Sequence, residues 1–559
     1  MSTGHKLLAF VVLSLSISGL AVTNFTNCLE RVRNGEVGTG KKVGATDNYG
    51  NILEDVKQAT GLTYGLCVTA CGSGPSPFRW KVFASNFTSW LLPWLALVSQ
   101  LPFGPKDRLD NLESVLLTIG SPMLAAYSLA LTVLNGRWIA RRFSQHNYPN
   151  IRNAVRVLSS LQQAPLRVIN EDALLASLIV LPHNDEWWRE LIGWLAYPHT
   201  WSISAVTSIA WVVTAYIFTI IDSFMEDLTV SANAHGQGSV LLWLLPIVIG
   251  WLQLSPKCDE VRVRSAVERA NKIAYAATDI HPVLVQEHTE QRAIYLAFSE
   301  GDEDNDVLRR DERVTAPIYN YSRFLPWVQA VERVSETFKV VSGRYRCHES
   351  VDPDITWVTA ADRGGISTRS RWGPDIFSQI AIASGLAFLL QLGTVGAAFS
   401  AAYLSPTTGL GCWSASYLLY GVLSTIVWLM LLASSFLTHY VSTSHYHRND
   451  PPRQSKVARR LAIALRRLAK LLATLNAIWI VVTRVLQFTG FFHRCYCNSS
   501  VLGRGKSAFT IIEPSSEDIR QMKNAWIRAI WLAGGTAALF VGFVNVFVNP
   551  PLPDSEERD

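Results

Sequence analysis

The chain has 559 residues, 49% of them hydrophobic and only 17% charged, with 19 Trp. This composition excludes a disordered polypeptide and a string of ordinary soluble domains, and it points to an integral membrane protein. The net charge of +6 is small for the length and gathers in particular loops, so it reads as an orientation signal and no nucleic-acid partner is expected.

Residues 1–22 start with His5 and Lys6, continue as an apolar run, and carry Gly19 and Ala21 where a cleavage site needs small residues. They read as a signal peptide, or as a signal anchor that leaves the next segment on the same side. Residues 23–88 are then an exoplasmic region containing Cys28, Cys67 and Cys71 and the N-glycosylation acceptors Asn24 and Asn86, each in an Asn-Phe-Thr triplet. The first membrane segments occupy 89–134. The run 90–103 is short and interrupted by Pro93, and reads as re-entrant or interfacial; the run 113–134 is long enough to cross, and Arg137, Arg141 and Arg142 after it mark a cytoplasmic flank.

Residues 135–199 form a cytoplasmic helical loop broken at Pro165 and Pro182. Its last helix presents Trp187, Trp188, Leu191, Trp194 and Leu195 and is expected at the lipid headgroup level. Two transmembrane helices fill 200–254, with Asp222 at the outer end of the first. Residues 255–375 are a large cytoplasmic loop with an acidic stretch at 300–306 and an amphipathic helix at 326–341; its weak apolar periodicity predicts partial disorder. Two further transmembrane helices lie in 376–437.

The segment 438–472 is a basic cytoplasmic loop and helix. Between Thr438 and Lys470 there are eight Lys or Arg and the single acid Asp450, the strongest orientation signal in the chain. Leu461, Leu465, Leu468 and Leu472 share one stripe of this helix, which is expected to lie on the membrane surface. Arg459, Arg460, Arg466, Arg467 and Lys470 on the opposite stripe are candidates for contact with anionic inner-leaflet lipids. The last two transmembrane helices lie in 473–548. The exoplasmic loop between them holds Cys495, Cys497 and a third acceptor, Asn498 in Asn-Ser-Ser, and 549–559 is a cytoplasmic tail. The expected fold is all-α, a polytopic transmembrane helix bundle of about seven to eight membrane segments with helical and partly disordered cytoplasmic loops.

On this threading Cys28, Cys67, Cys71, Cys412, Cys495 and Cys497 fall on the exoplasmic side, an even number suited to disulfides, whereas Cys258 and Cys347 fall inside. Chemistry within the membrane centres on Arg484. A guanidinium near the middle of a span costs several kcal/mol unless paired, so Arg484 with Gln487, Gln391 and the potential partners Asp222 and Glu113 is a candidate ion or polar-substrate site. The competing reading is a structural pair between helices. His439, His445 and His447 lack a companion Cys or acid at ligand spacing, and no His lies within a span, so neither a metal nor a haem is expected. The run 500–507, SVLGRGKS, misses the first Gly of a phosphate-binding loop, and no nucleophile elbow, HExxH or kinase motif is present. No enzymatic activity and no cofactor are expected.

The runs SLALTVLNGRWIARRF (128–143), SLQQAPLRV (160–168), AVTSIAWVVTAYIF (205–218), WLLPIVIGWLQLSPKCD (243–259) and PIYNYSRFLPWVQAVERV (317–334) resemble a family of fungal multi-span membrane proteins with no assigned activity. The resemblance implies a membrane protein of fungal type and carries over no functional residues. Two classes of function stay open: a transport or channel-like protein built around Arg484, and a receptor, sensor or membrane scaffold.

Overall fold

The structure is a computed structural model that describes residues 24–550 and 552, except 38–43, 75–77, 79, 81–82, 85–86, 106, 170–172, 198–200, 226–234, 279–280, 299–306, 348–371, 374, 406–408 and 446–452. The expected signal segment and the acidic stretch at 300–306 lie outside the described residues.

A small cap begins the described chain. Helix α1 (Phe25–Arg33) starts where Asn24 Oδ1 accepts the Thr26 N–H at 3.1 Å, and it buries Cys28, Leu29 and Val32. Helix α2 (Tyr64–Cys71) packs against it, and strand Gly61–Thr63 lies between strands Ala45–Thr46 and Phe509–Ile511, antiparallel to both. The N-terminal region and the loop near residue 510 thus share one small hydrophobic core, distinct from the main one. Arg33 closes it with an ion pair to Glu513 at 2.6 Å.

Helices α3 (Arg108–Gly120) and α4 (Pro122–Phe143) take the place of the single span expected at 113–134, meeting at 102°. Pro122 occupies the first position of α4, where a missing N–H costs nothing, and Ser121 caps Leu124 N at 3.2 Å. Every residue from Pro122 to Val133 is buried, so α4 is an internal shaft, not a lipid-facing span. The apolar helix α5 (Ile203–Met225) exposes Ile203, Trp211 and Phe218.

Residues 135–197 and 255–347 fold against each other into a base. Strands Leu166–Val168 and Ile294–Leu296 pair antiparallel, Trp187 Nε1 donates to Asn271 at 3.1 Å, and Trp327 Nε1 donates to the Leu158 carbonyl at 2.9 Å. Two expectations are corrected here. Trp187, Trp188, Leu191 and Leu195 are buried in protein and not at the headgroups, with only Trp194 of that set exposed. The described parts of 255–347 are packed, because their apolar partners lie in the other loop. The base includes α6 (Val307–Arg313) and α7 (Asn320–Arg346), the latter burying Phe324, Trp327, Val331, Val334 and Phe338.

The bundle proper contains α8 (Ile376–Gln391), a π turn at Leu392–Gly396, α9 (Ala397–Tyr403), α10 (Cys412–His445), α11 (Arg453–Phe488) and α12 (Ser516–Phe547). Among the described residues only four helices are long and apolar enough to cross a membrane, Ile376–Tyr403, Cys412–Ser442, Lys456–Phe488 and Ser516–Phe547, or five if the bent α3–α4 pair is one span. This corrects the expected seven to eight. The other apolar stretches, Ile203–Phe218 and Gly238–Leu254, are shorter. Leu429, Leu471, Ile478, Trp531, Leu539 and Val546 are exposed on α10, α11 and α12, which gives these helices an apolar outer surface. The basic segment and the span after it are one unbroken helix, α11, without Gly or Pro, so the basic half cannot lie flat while the rest crosses.

Candidate functional site

The inward face of α11 carries Arg466, Lys470, Asn476, Arg484 and Gln487, and these organise a polar seam from base to cap. At the base end Asp311 of α6 is fully buried. Arg466 Nε lies 3.6 Å from its carboxylate, Lys470 bonds it too, and Tyr321 Oη donates to it at 2.8 Å. Lys470 also pairs with Glu113 at 2.5 Å, and Tyr319 Oη donates to Glu113 at 2.9 Å. Burial first, then the Asp311 carboxylate, pushes both tyrosine hydroxyls well above their usual pKa, so each stays protonated as a donor. Arg466 adds contacts to Ser434 Oγ and the Leu308 carbonyl, both at 3.2 Å. The two acids and two bases balance around the buried pair Arg466–Asp311, with Lys470 and Glu113 half-buried beside it.

Midway, the polar side chains seal the broken α3–α4 junction. The bend frees the Ile119 and Gly120 carbonyls; Tyr420 Oη donates to the first at 2.7 Å and Asn476 Nδ2 to the second at 2.8 Å. Ser424 Oγ accepts the Met123 N–H at 3.1 Å and donates to Gln391 Oε1 at 2.6 Å, while Gln391 Nε2 donates to Thr425 at 2.8 Å. Irregular backbone in an apolar setting requires such partners.

Arg484 is 1% exposed, four residues before the end of α11, and therefore near the cap and not at the midpoint of its helix. Its Nη1 donates to Gln487 Oε1 at 2.9 Å and Tyr417 Oη at 3.2 Å, and its guanidinium carbon lies 4.9 Å from the Tyr417 ring centre. Nε and Nη2 have no hydrogen-bond partner among the described residues, nor does Gln487 Nε2. Of the expected acids, Glu113 pairs with Lys470, and the Asp222 side chain lies outside the described residues. Two small cavities, one beside Ser114, Thr118 and Ser128 and the other between Trp90, Trp94 and Tyr216, are both lined by residues other than Arg484.

Of the residues expected at anionic lipids, Arg459, Arg460 and Arg467 are exposed, whereas Arg466 and Lys470 turn inward to Asp311 and leave that set. The six predicted cysteines come together in the cap as Cys28–Cys71, Cys67–Cys495 and Cys412–Cys497, with Cys258 and Cys347 free. The sulfurs of Cys67, Cys71 and Cys495 lie within 4.8 Å of one another, and all three are disulfide-bonded. Asn24 is exposed, Asn498 is half-buried, and Asn86 lies outside the described residues. Sequence reasoning missed Asp311, Tyr321, Tyr420 and Ser424; nothing local distinguishes Asp311 from the charges around it, whereas Gly120-Ser121-Pro122 does signal a break.

Comparison of the chain with protein-family models, with curated proteins and with solved structures finds no match in any of the three.

Proposed function

We propose that this is a polytopic membrane receptor or scaffold of fungal type, with the cap exoplasmic and the base cytoplasmic, that holds a surface on one side of the bilayer in fixed register with a helical domain on the other. The observation that carries this reading is the tethering of α11 at both ends. Arg466 and Lys470 bind it to α6 of the base, and Cys495, just beyond its last turn, bonds to Cys67 of the cap. A helix without Gly or Pro is a stiff link between them. A transport reading is favoured by the guanidinium N–H groups of Arg484 that have no partner among the described residues.

Thiol labelling of the full chain separates the two and tests the threading. Cys347 is exposed, and burial pushes the Cys258 thiol up to about 12, so Cys258 is unreactive. A membrane-impermeant maleimide is expected to label Cys347 only after permeabilisation; labelling on intact cells inverts the topology. In a Cys347→Ser background, Gln487→Cys and Ile480→Cys are expected to resist the reagent. Their labelling would instead reveal a watered path beside Arg484 and support transport.

A further inference from the structure

The geometry points to Asn24 as the carrier of an N-linked oligosaccharide, and this rests on the reading of the cap as exoplasmic. The two acceptors in described regions differ in ways the triplet alone does not show. Asn24 is exposed, as is Thr26 two residues on. Its Oδ1 is committed to the start of α1, accepting the N–H groups of Thr26 at 3.1 Å and Asn27 at 3.4 Å. Glycosylation uses the other atom. Nδ2 donates no hydrogen bond among the described residues, so a sugar attached there leaves the helix cap intact. The carboxamide is also already folded back on the backbone of its own triplet, with Oδ1 bound to the threonine N–H.

Asn498 offers none of this. It is half-buried on a single turn, Cys495–Asn498, whose two cysteines are tied to Cys67 and Cys412, and its triplet ends in Ser500, which is 4% exposed. A branched oligosaccharide at that position would displace the disulfide-bonded turn.

In the reaction the Asn24 Nδ2 forms a bond to the anomeric carbon of an oligosaccharide carried on a polyprenyl pyrophosphate. The anomeric C–O bond breaks, the pyrophosphate leaves with the electron pair, and the amide gives up one proton; no oxidant or reductant takes part.

The test is expression of the full chain in a glycosylating eukaryotic cell, digestion with peptide N-glycosidase, and measurement of gel mobility and of deamidated peptides by mass spectrometry. Thr26→Ala is the decisive variant, because it removes the acceptor triplet and keeps the Asn24 cap. The wild-type chain is expected to lose a glycan on digestion, with Asn24 deamidated and Asn498 unchanged, and Thr26→Ala is expected to lose one glycan fewer. An undiminished shift in Thr26→Ala overturns the assignment. Glu36→Thr, which builds a new acceptor triplet with Asn34 and Gly35 where all three positions are exposed on the cap, supplies the control for sidedness. If Glu36→Thr gains a glycan at Asn34 while Asn24 carries none, the assignment fails and the exoplasmic cap stands. If neither position is modified, the reading of the cap falls and the assignment with it.

Discussion

Asp311 shows how much one carboxylate can organise. It lies at 0% exposure among Arg466, Lys470 and Tyr321, so Asp311→Ala leaves the buried Arg466 without a carboxylate among the described residues and Lys470 with Glu113 alone. Removing one partner of such a buried network costs about 3–5 kcal/mol. Thermal unfolding in lipid nanodiscs is expected to show that loss for Asp311→Ala, against a change within about 0.5 kcal/mol for Arg467→Gln on the exposed face. Equal effects would remove Asp311 from the core of the base. The sequence shows a basic stripe on α11 and nothing of its partner, because Asp311 stands 159 residues from Lys470 and belongs to another helix. Helical periodicity sorts polar faces from apolar ones; it cannot tell a solvated polar face from one that another segment covers.

At the scale of elements, the α3–α4 bend and the π turn are places where helices approach closely. A Cβ at Gly120 would lie 2.0 Å from the Ala473 carbonyl oxygen, and one at Gly393 would lie 2.0 Å from Thr536 Oγ1. The Gly120 clash is with backbone of α11 and has no easy relief, so Gly120→Ala is expected to lower stability by about 1–3 kcal/mol. Gly535→Ala on α12, with open space around its Cβ, is expected to be neutral or to stabilise by about 0.5–1 kcal/mol. A melt that ranks them the other way would refute close packing at the bend. Length and hydropathy of the apolar runs located these segments in the sequence. They did not separate a crossing helix from the buried shaft α4, since both carry long apolar runs, and they put Arg484 near the middle of the apolar run 473–493, whereas the helix itself ends at Phe488.

For the whole molecule, the longest-range tie is Cys67–Cys495, spanning 428 residues. Loop entropy alone assigns a closure of that length about 6 kcal/mol, an upper figure here because the spans already hold the ends near each other. Cys67→Ser combined with Cys495→Ser is expected to make the cap around 24–72 sensitive to added protease while α10–α12 stay protected. A cap that resists digestion as the wild type does would show that its strands, and not its sulfur, hold it. The even number of cysteines on one side was legible in the sequence; the pairing was not, because six sulfurs alone leave the partners open.

That tie also sets a timetable for synthesis. Cys67 leaves the ribosome long before Cys495 exists, and the strand Phe509–Ile511 that completes the sheet is made later still. The Cys67 sulfur and one edge of strand Gly61–Thr63 therefore lack their native partners until nearly every later helix has been made. A chain cut short before residue 495 leaves both of them open, so the cap is the first-begun and last-finished part of the described fold.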